Sequence, residues 1–565
     1  MTKFDKIRDE IKVLCMVWHY AYGQHLRLSI AMIFELLAGL FPPAIIYVLQ
    51  YAIGSKAVHI ESLLTQKNII FLLLVYFCYM VLTRLSRIMT AFSIAEVEYV
   101  LRMQLVQSLR RMSYEEMKKI GLSSANGLTQ EISMASGLIP MVYRSFIRAT
   151  VTIVAFCALS LIISPHFFII AFVLILAVLS SIVILRKRIK AIHQTLFSRI
   201  SSLYQLFAEW LDGHRIFRVY GCMDFAVCRM QHVFLSIRDI SRQLAVIANG
   251  QSVLVEIITY VMAAAIILLM PTEDGILNIG VLVSYPTAIL FIRGESVILI
   301  NGYQQLANTE SSITRLFQIL NCQSSTTETP GPITNIQRII FDDVSFFYES
   351  TVGIHDILKN ANLYVEKGKL NIIVGLSGIG KSTTLNLLLG LLHPQKGCAR
   401  FESSSTLPQA AFHGIALVEQ EPFIFEGTLY DNICMGRQGI DIHDIMYYIN
   451  VLQLSSMFPS TDSLTENVEK YNRSLSSGEK QRIALVRALV GHPSVLVIDE
   501  VTSNIDQHTS SLIANFLSDL ARQMLVIAVT HDPILIAKAD AVHVLEDYHF
   551  TPVTTNDFNY LNCLN

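Results

Sequence analysis

Residues 370–392 read Leu-Asn-Ile-Ile-Val-Gly-Leu-Ser-Gly-Ile-Gly-Lys-Ser-Thr-Thr-Leu-Asn-Leu-Leu-Leu-Gly-Leu-Leu. The first five residues form a strand-like apolar run, and Thr383 to Leu392 form a helical one. Between them Gly375–Ser382 matches GxxxxGK[ST], and the strand-before, helix-after context separates a phosphate-binding loop from a chance match. Gly375, Gly378 and Gly380 let successive backbone N–H groups turn inward around phosphates, where the helix N-terminus adds favourable potential. Lys381 sets a point charge on the β- and γ-phosphates, and the Ser382 hydroxyl suits Mg²⁺. Ser377 and Thr383 complete the candidate contacts to ATP.

Two further strand ends carry reactive groups. Val495–Ile498 is apolar and runs into Asp499-Glu500, and Leu525–Val529 runs into Thr530-His531. Asp499 is placed to hold Mg²⁺, and Glu500 to polarise an attacking water. The carboxyl ends of an open parallel sheet converge on one crevice, which lets His531 reach the same phosphate. Apolar runs alternating with helical segments beyond residue 337 predict an α/β domain with a largely parallel sheet.

Upstream the character changes. Of 565 residues, 52% are hydrophobic and 16% charged, with a mean hydropathy of +0.48. A soluble enzyme carries about a quarter charged residues, so the apolar excess belongs in a bilayer. A net charge of −2 argues against a nucleic-acid partner held by bulk electrostatics. Nine singly scattered cysteines suggest neither a disulfide framework nor a zinc site. The charged stretch Met1–Lys12 has no signal-peptide pattern. Apolar runs of bilayer length predict six transmembrane helices at 28–52, 68–88, 139–163, 166–186, 245–270 and 277–300. The long loops after the second and fourth spans are rich in Lys and Arg, whereas Pro271–Gly280 has no basic residue. The positive-inside rule puts those loops and both termini in the cytoplasm, and their periodicity extends the helices well below the membrane. The Ser/Thr/Pro/Gly-rich stretch 322–337 reads as a linker between a membrane domain (1–321) and an ATPase domain (338–565).

Leu475-Ser-Ser-Gly-Glu-Lys-Gln-Arg482, some twenty residues before Asp499, resembles the signature of ABC transporters, usually LSGGQ followed by a basic residue and QR. Here Ser477 replaces the first glycine and Glu479 the glutamine. Tyr348 in VSFFY is similar to the family's adenine-stacking aromatic, Gln420 in VEQEPFIF to its Mg²⁺-binding and coupling glutamine, and Asp506 in SNID to the loop that crosses to the partner chain. Glu209–Gly221 resembles the second cytoplasmic loop of the six-helix exporter-type domain, and Ser312–Phe317 the segment after its sixth helix.

The resemblance implies an exporter-type half-transporter working as a pair, with Ser476 and Gly478 of one chain closing ATP bound to another chain's phosphate loop. The expected partner is a second copy or a related half-transporter, and the half-size layout suits a bacterial inner membrane. Short helices near Ser113–Met117 and Leu211–His214 would pass the motion to the membrane helices. Export of a small amphipathic or peptide-like substrate leads; import through the same fold and ATP-gated regulation without pumping remain open. Glu35 and Glu256 lie within spans one and five, and ionisable residues there are candidates to meet a cationic or hydrogen-bonding substrate, or to pair with a neighbouring helix. Arg293 and Glu295 are expected to snorkel or pair, and Gly39–Pro43 and Pro286 to kink their spans.

Overall fold

The computed structural model of the protein describes residues 15, 17–54, 66–120, 125–163, 165–268, 279–321, 336–350, 353–403, 414–466, 475–500 and 507–553. It divides into two units, Met1–Met112 with Lys119–Gln323, and Ser113–Lys118 with Ser324–Asn565.

The first unit is helical: α1 (His25–Gly54), α2 (Gln66–Arg111), α4 (Ala125–Ser136), α5 (Leu138–Met141), a π-helical segment Val142–Arg148, α6 (Ala149–Ile163), α7 (Pro165–Val219), α8 (Met223–Leu268) and α9 (Ile279–Leu320). The described part of each expected span lies in one of these helical runs. Among the described residues, four stretches are long and apolar enough to cross a membrane: His25–Val48, Leu73–Arg111, Leu128–Leu161 and Met223–Ala265. The expected spans 166–186 and 277–300 fall in α7 and α9. Helix continues through Pro42, Pro43 and Pro286. The predicted helical extensions are present too, since α2 runs on to Arg111, α7 to Val219, and α8 begins at Met223. No separate helix forms at Leu211–His214, because α7 runs straight through it without a capping break and turns only after Val219.

Side chains are distributed as a bilayer requires. Ile70, Phe71, Leu73, Leu74 and Phe77 on α2 face outward, where water would penalise them and lipid does not. Polar residues turn inward: Ser86 is buried and donates to the Ala31 carbonyl at 3.3 Å, and buried Thr90 donates to the Ser86 carbonyl at 3.0 Å.

In the second unit, the short helix α3 (Tyr114–Ile120) lies mostly within Ser113–Lys118. It starts with a reciprocal cap, Ser113 N to Glu116 Oε2 at 2.9 Å and Glu116 N to Ser113 Oγ at 3.3 Å. The remainder is α/β. An antiparallel sheet of order β2-β1-β4 comprises β1 (Ile336–Ser350), β2 (Gly353–Glu366) and β4 (Lys396–Ser403). The main sheet has order β5-β6-β7-β3-β8-β9, from β3 (Leu370–Val374), β5 (Ile415–Val418), β6 (Val495–Asp499), β7 (Leu525–Val529), β8 (Ala541–Glu546) and β9 (His549–Val553). All neighbours in it are parallel except β8 and β9. Its central strands are mostly apolar because both faces are covered, and β3 and β7 are buried at every residue. The helices are α10 (Lys381–Leu388), α11 (Leu429–Cys434), α12 (Ile442–Val451), α13 (Ser477–Leu489), α14 (Gln507–Ala521) and α15 (Pro533–Ile536).

Candidate functional site

Sheet order assembles the site. β5, β6, β7 and β3 are consecutive neighbours, and register pairs Val418 with Ile498, Asp499 with Val529, and Ile373 with Val529. The chain therefore leaves all four strands at one level, carrying Gln420, Asp499-Glu500, His531 and the 375–382 loop to one end of the sheet.

The loop has the backbone its glycines permit. Gly380 has φ +115°, and a Cβ at Gly375 would lie 2.8 Å from the Leu545 carbonyl oxygen, so any side chain there collides with β8. Gly378 also turns through the left-handed region, at φ +81°. Lys381 is buried and folds back into the loop, donating to the carbonyls of Gly375 at 2.7 Å and Leu376 at 3.1 Å. Its Nζ lies 2.9 Å from His531 Nε2.

From that nitrogen the site continues to the carboxylates. Glu500 Oε1 is 3.9 Å from His531 Nε2, and the Gln420 amide donates to Glu500 Oε2 at 2.7 Å. Glu500 holds φ +49°, a conformation a non-glycine residue rarely adopts unless its surroundings impose it. Its amide donates to Val529 O at 2.9 Å, which fixes the turn beyond β6. On the other side Ser382 Oγ donates to Asp499 Oδ2 at 3.2 Å. Burial lifts the Asp499 carboxyl above its ordinary range; the Ser382 hydrogen bond and Lys381 oppose this, and Glu500 and Glu419 add to it. Burial lowers Lys381, against the pull of Glu500 and Asp499.

This donor set fits Mg²⁺ bound together with phosphate. Glu500 and Glu419 both act on Asp499, and Lys381 is the cation that opposes them there. The 3.2 Å between Ser382 Oγ and Asp499 Oδ2 is close to the ~2.9 Å separating adjacent corners of an octahedral Mg²⁺ shell. Among the described residues no three His, Cys, Asp or Glu side chains cluster as an all-protein metal cage.

Tyr348 stands at the loop's edge, its hydroxyl 3.4 Å from Thr383 Oγ1 and its ring edge-on to Phe346 at 5.0 Å. Lys118 Nζ lies 5.6 Å from the Tyr348 ring centroid.

The 475–482 motif opens α13. Ser476 is its N-cap, closed by a capping box in which Ser476 N donates to Glu479 Oε2 at 2.8 Å and Glu479 N to Ser476 Oγ at 3.3 Å. Glutamate does that job as well as glutamine, which accounts locally for the departure at Glu479. Ser476 and Ser477 are exposed at the start of a 13-residue helix, a place suited to an anion. Among the described residues no hydrogen bond joins Ser476 or Gly478 to the 375–382 loop. Asp506 lies outside the described residues.

One residue was passed over in reading the sequence. Gln481 is fully buried and its amide donates to the carbonyls of Gln420 at 3.0 Å and Glu500 at 3.4 Å. It ties α13 to both turns that carry the polar network. Its place in the quoted motif was the available signal; burial, which sequence does not report, was the missing part.

In the first unit, Glu256 is gripped by Arg293 at 2.6 Å, and Glu35 lies 3.9 Å from Arg148, which also faces Glu295 at 3.6 Å.

Two family profiles match the chain. One, described as ABC transporter, covers residues 358–503, and the other, ABC transporter transmembrane region, covers 28–295. An uncharacterised ABC transporter ATP-binding protein, y4gM, of Sinorhizobium fredii is 24% identical over 433 residues, 74% of this chain and 72% of that protein. The ATP-dependent lipid A-core flippase of Neisseria meningitidis is 26% identical over 376 residues, 64% of this chain and 59% of its own length. A bacterial Atm1-family ABC exporter solved with ATP bound superposes with a TM-score of 0.79 at 18% identity, covering 96% of this chain and 97% of that one.

Proposed function

From the premise that this chain belongs to the ABC transporter family, as an integral membrane protein of exporter-type fold with an ATP-binding domain, we propose that it is a half-transporter whose paired copies hydrolyse ATP to export a small amphipathic or peptide-like substrate. The observation that carries the proposal is the single polar network, Lys381–His531–Glu500–Gln420 beside Ser382–Asp499, at the ends of four adjacent strands. Such a network has the groups phosphoryl transfer needs and few others.

Each side chain has a task set by its position. Lys381, already drawn inward with its charge opposed by burial, neutralises the β- and γ-phosphate oxygens that replace the loop carbonyls as its partners. Ser382 and Asp499 would hold Mg²⁺, with Gln420 turning from Glu500 to join them; the ion supplies charge neutralisation at the phosphates. Glu500 accepts a proton from the attacking water, and His531 reaches the γ-phosphate and that water. Tyr348 stacks on adenine, while Gly375, Ser377, Gly378, Gly380 and Thr383 line the phosphates with backbone and hydroxyl donors. Ser476 and Gly478, at a helix N-terminus and, among the described residues, without a hydrogen bond to their own chain's loop, serve the loop of a second chain, and Asp506 belongs to that crossing. The membrane part is placed at 1–321 and the ATPase part at 338–565, with 322–337 as the linker except that β1 already opens at Ile336. The ATPase domain lies in the cytoplasm beneath a bacterial inner membrane.

Inside-out vesicles carrying the full chain test the direction. ATP-dependent accumulation of amphipathic probes supports export. ATP-driven depletion of preloaded vesicles, or hydrolysis with no movement of any probe, overturns it.

A further inference from the structure

In the membrane half, Glu35, Arg148 and Glu295 meet from three helices, each at least nine-tenths buried. Local geometry brings them together. Gly39 lies one turn beyond Glu35 on the same face of α1, and a Cβ there would be 3.2 Å from the Arg148 carbonyl oxygen. Gly302 lies two turns beyond Glu295 on α9, and its Cβ would fall 2.4 Å from that of Ser145. Two glycines thus let α1 and α9 approach the Val142–Arg148 segment almost backbone to backbone. That segment is π-helical, a rarity concentrated at functional sites.

The three charges do not satisfy one another. At 3.9 Å and 3.6 Å the Arg148 contacts are too long for hydrogen bonds. Among the described residues, Glu35 Oε2, Glu295 Oε2 and Arg148 Nε are all buried without a hydrogen-bond partner. The Arg293–Glu256 pair nearby, at 2.6 Å, shows what a closed pair looks like in this fold. Counting the three buried groups alone, two carboxylates face one guanidinium, an excess of one negative charge within the triad. Arg144, one turn earlier and exposed, adds its field at Glu295 but makes no ion pair with either carboxylate. A buried uncompensated charge with free acceptors is costly, and a single cation bearing several N–H donors would relieve both faults. An ammonium offers three donors and one charge.

We propose that Glu35 and Glu295, held apart by Arg148, form a binding subsite for the primary ammonium group of the transported substrate. The inference rests on the transport reading above and names its substrate class as amphipathic amines. All three residues lie within about ten residues, roughly 15 Å, of the cytoplasmic ends of their expected spans, where an exported substrate enters.

The test is equilibrium binding to the full chain in lipid nanodiscs, with empty nanodiscs subtracted, of dansylcadaverine, which carries a primary ammonium, and of its neutral N-acetyl derivative. The wild type should prefer the ammonium probe by about tenfold or more, as removing a partner from a desolvated charge pair implies. Glu35→Gln and Glu295→Gln should each abolish the preference while still binding the acetylated probe. Equal binding of both probes by the wild type, or a preference surviving both substitutions, overturns the proposal. Should Glu295→Gln bind neither probe, Glu295→Asp must restore the preference; its failure assigns the cluster to packing and overturns the proposal. ATP-driven transport of the neutral probe by the wild type separates failure here from failure of the transport reading.

Discussion

Glu479 and Glu500 are both carboxylates at the start of a turn, and the structure gives them opposite assignments. Glu479 is spent on closing the α13 cap, whereas Glu500 is bent into a left-handed conformation and aimed at His531 and Gln420. Glu479 also places a negative charge beside a helix N-terminus proposed to receive the γ-phosphate of a partner's ATP. Glu479→Gln keeps the cap and removes the charge. Such charge effects at a helix end amount to about 0.3–1 kcal/mol, so the KM for ATP should fall about two- to fivefold; an unchanged or higher KM in a steady-state titration contradicts the placement. At this scale the phosphate loop was legible in the sequence because its geometry is local: Gly375 must be glycine with Leu545 so near, and the motif states it. Gln481 and Arg148 were not legible, since their meaning depends on burial among residues distant in sequence.

Strands and helices follow the same division. Apolar runs located the helical runs of the membrane half, and the periodicity of the loops accounts for α2, α7 and α8 continuing beyond their expected spans. The tip at Leu211–His214 went wrong because helical periodicity continues through it and no capping residue interrupts α7. Within the main sheet, β8 holds a polar residue that no strand pattern explains. His543 lines a cavity of about 550 Å³ with Phe341, Tyr364 and Phe550. Among the described residues its Nε2 has no partner, and burial pushes the ring down to about 4. The unfolded chain takes up this proton near pH 6.5 and the folded one only near pH 4. Stability therefore declines as pH falls from 6.5 towards 4, by up to about 3 kcal/mol, and is untouched by this group above 6.5. His543→Leu should flatten the pH dependence of the thermal midpoint between pH 6.5 and 5, read by scanning fluorimetry on the full-length protein. An identical slope in both proteins contradicts it.

For the whole molecule the decisive feature is what one chain leaves undone. Its phosphate loop, strand ends and glutamine form one network, while Ser476 caps α13 from an exposed position beside buried Gly478, and among the described residues neither is hydrogen-bonded to the 375–382 loop. Nanodiscs assembled with one chain should therefore hydrolyse ATP about a hundredfold more slowly per chain than those holding two, the cost typical of losing preorganised donors from a transition state; equal turnover would contradict the pairing. That chemistry was legible from motif order, whereas the membrane triad emerged only when three helices were seen together. The account stands most directly on Glu500. In the full-length protein, Glu500→Gln should bind ATP as before yet lose about 10²–10⁴-fold in steady-state hydrolysis, trapping the ATP-bound pair. Undiminished turnover in that variant would contradict the account at its centre.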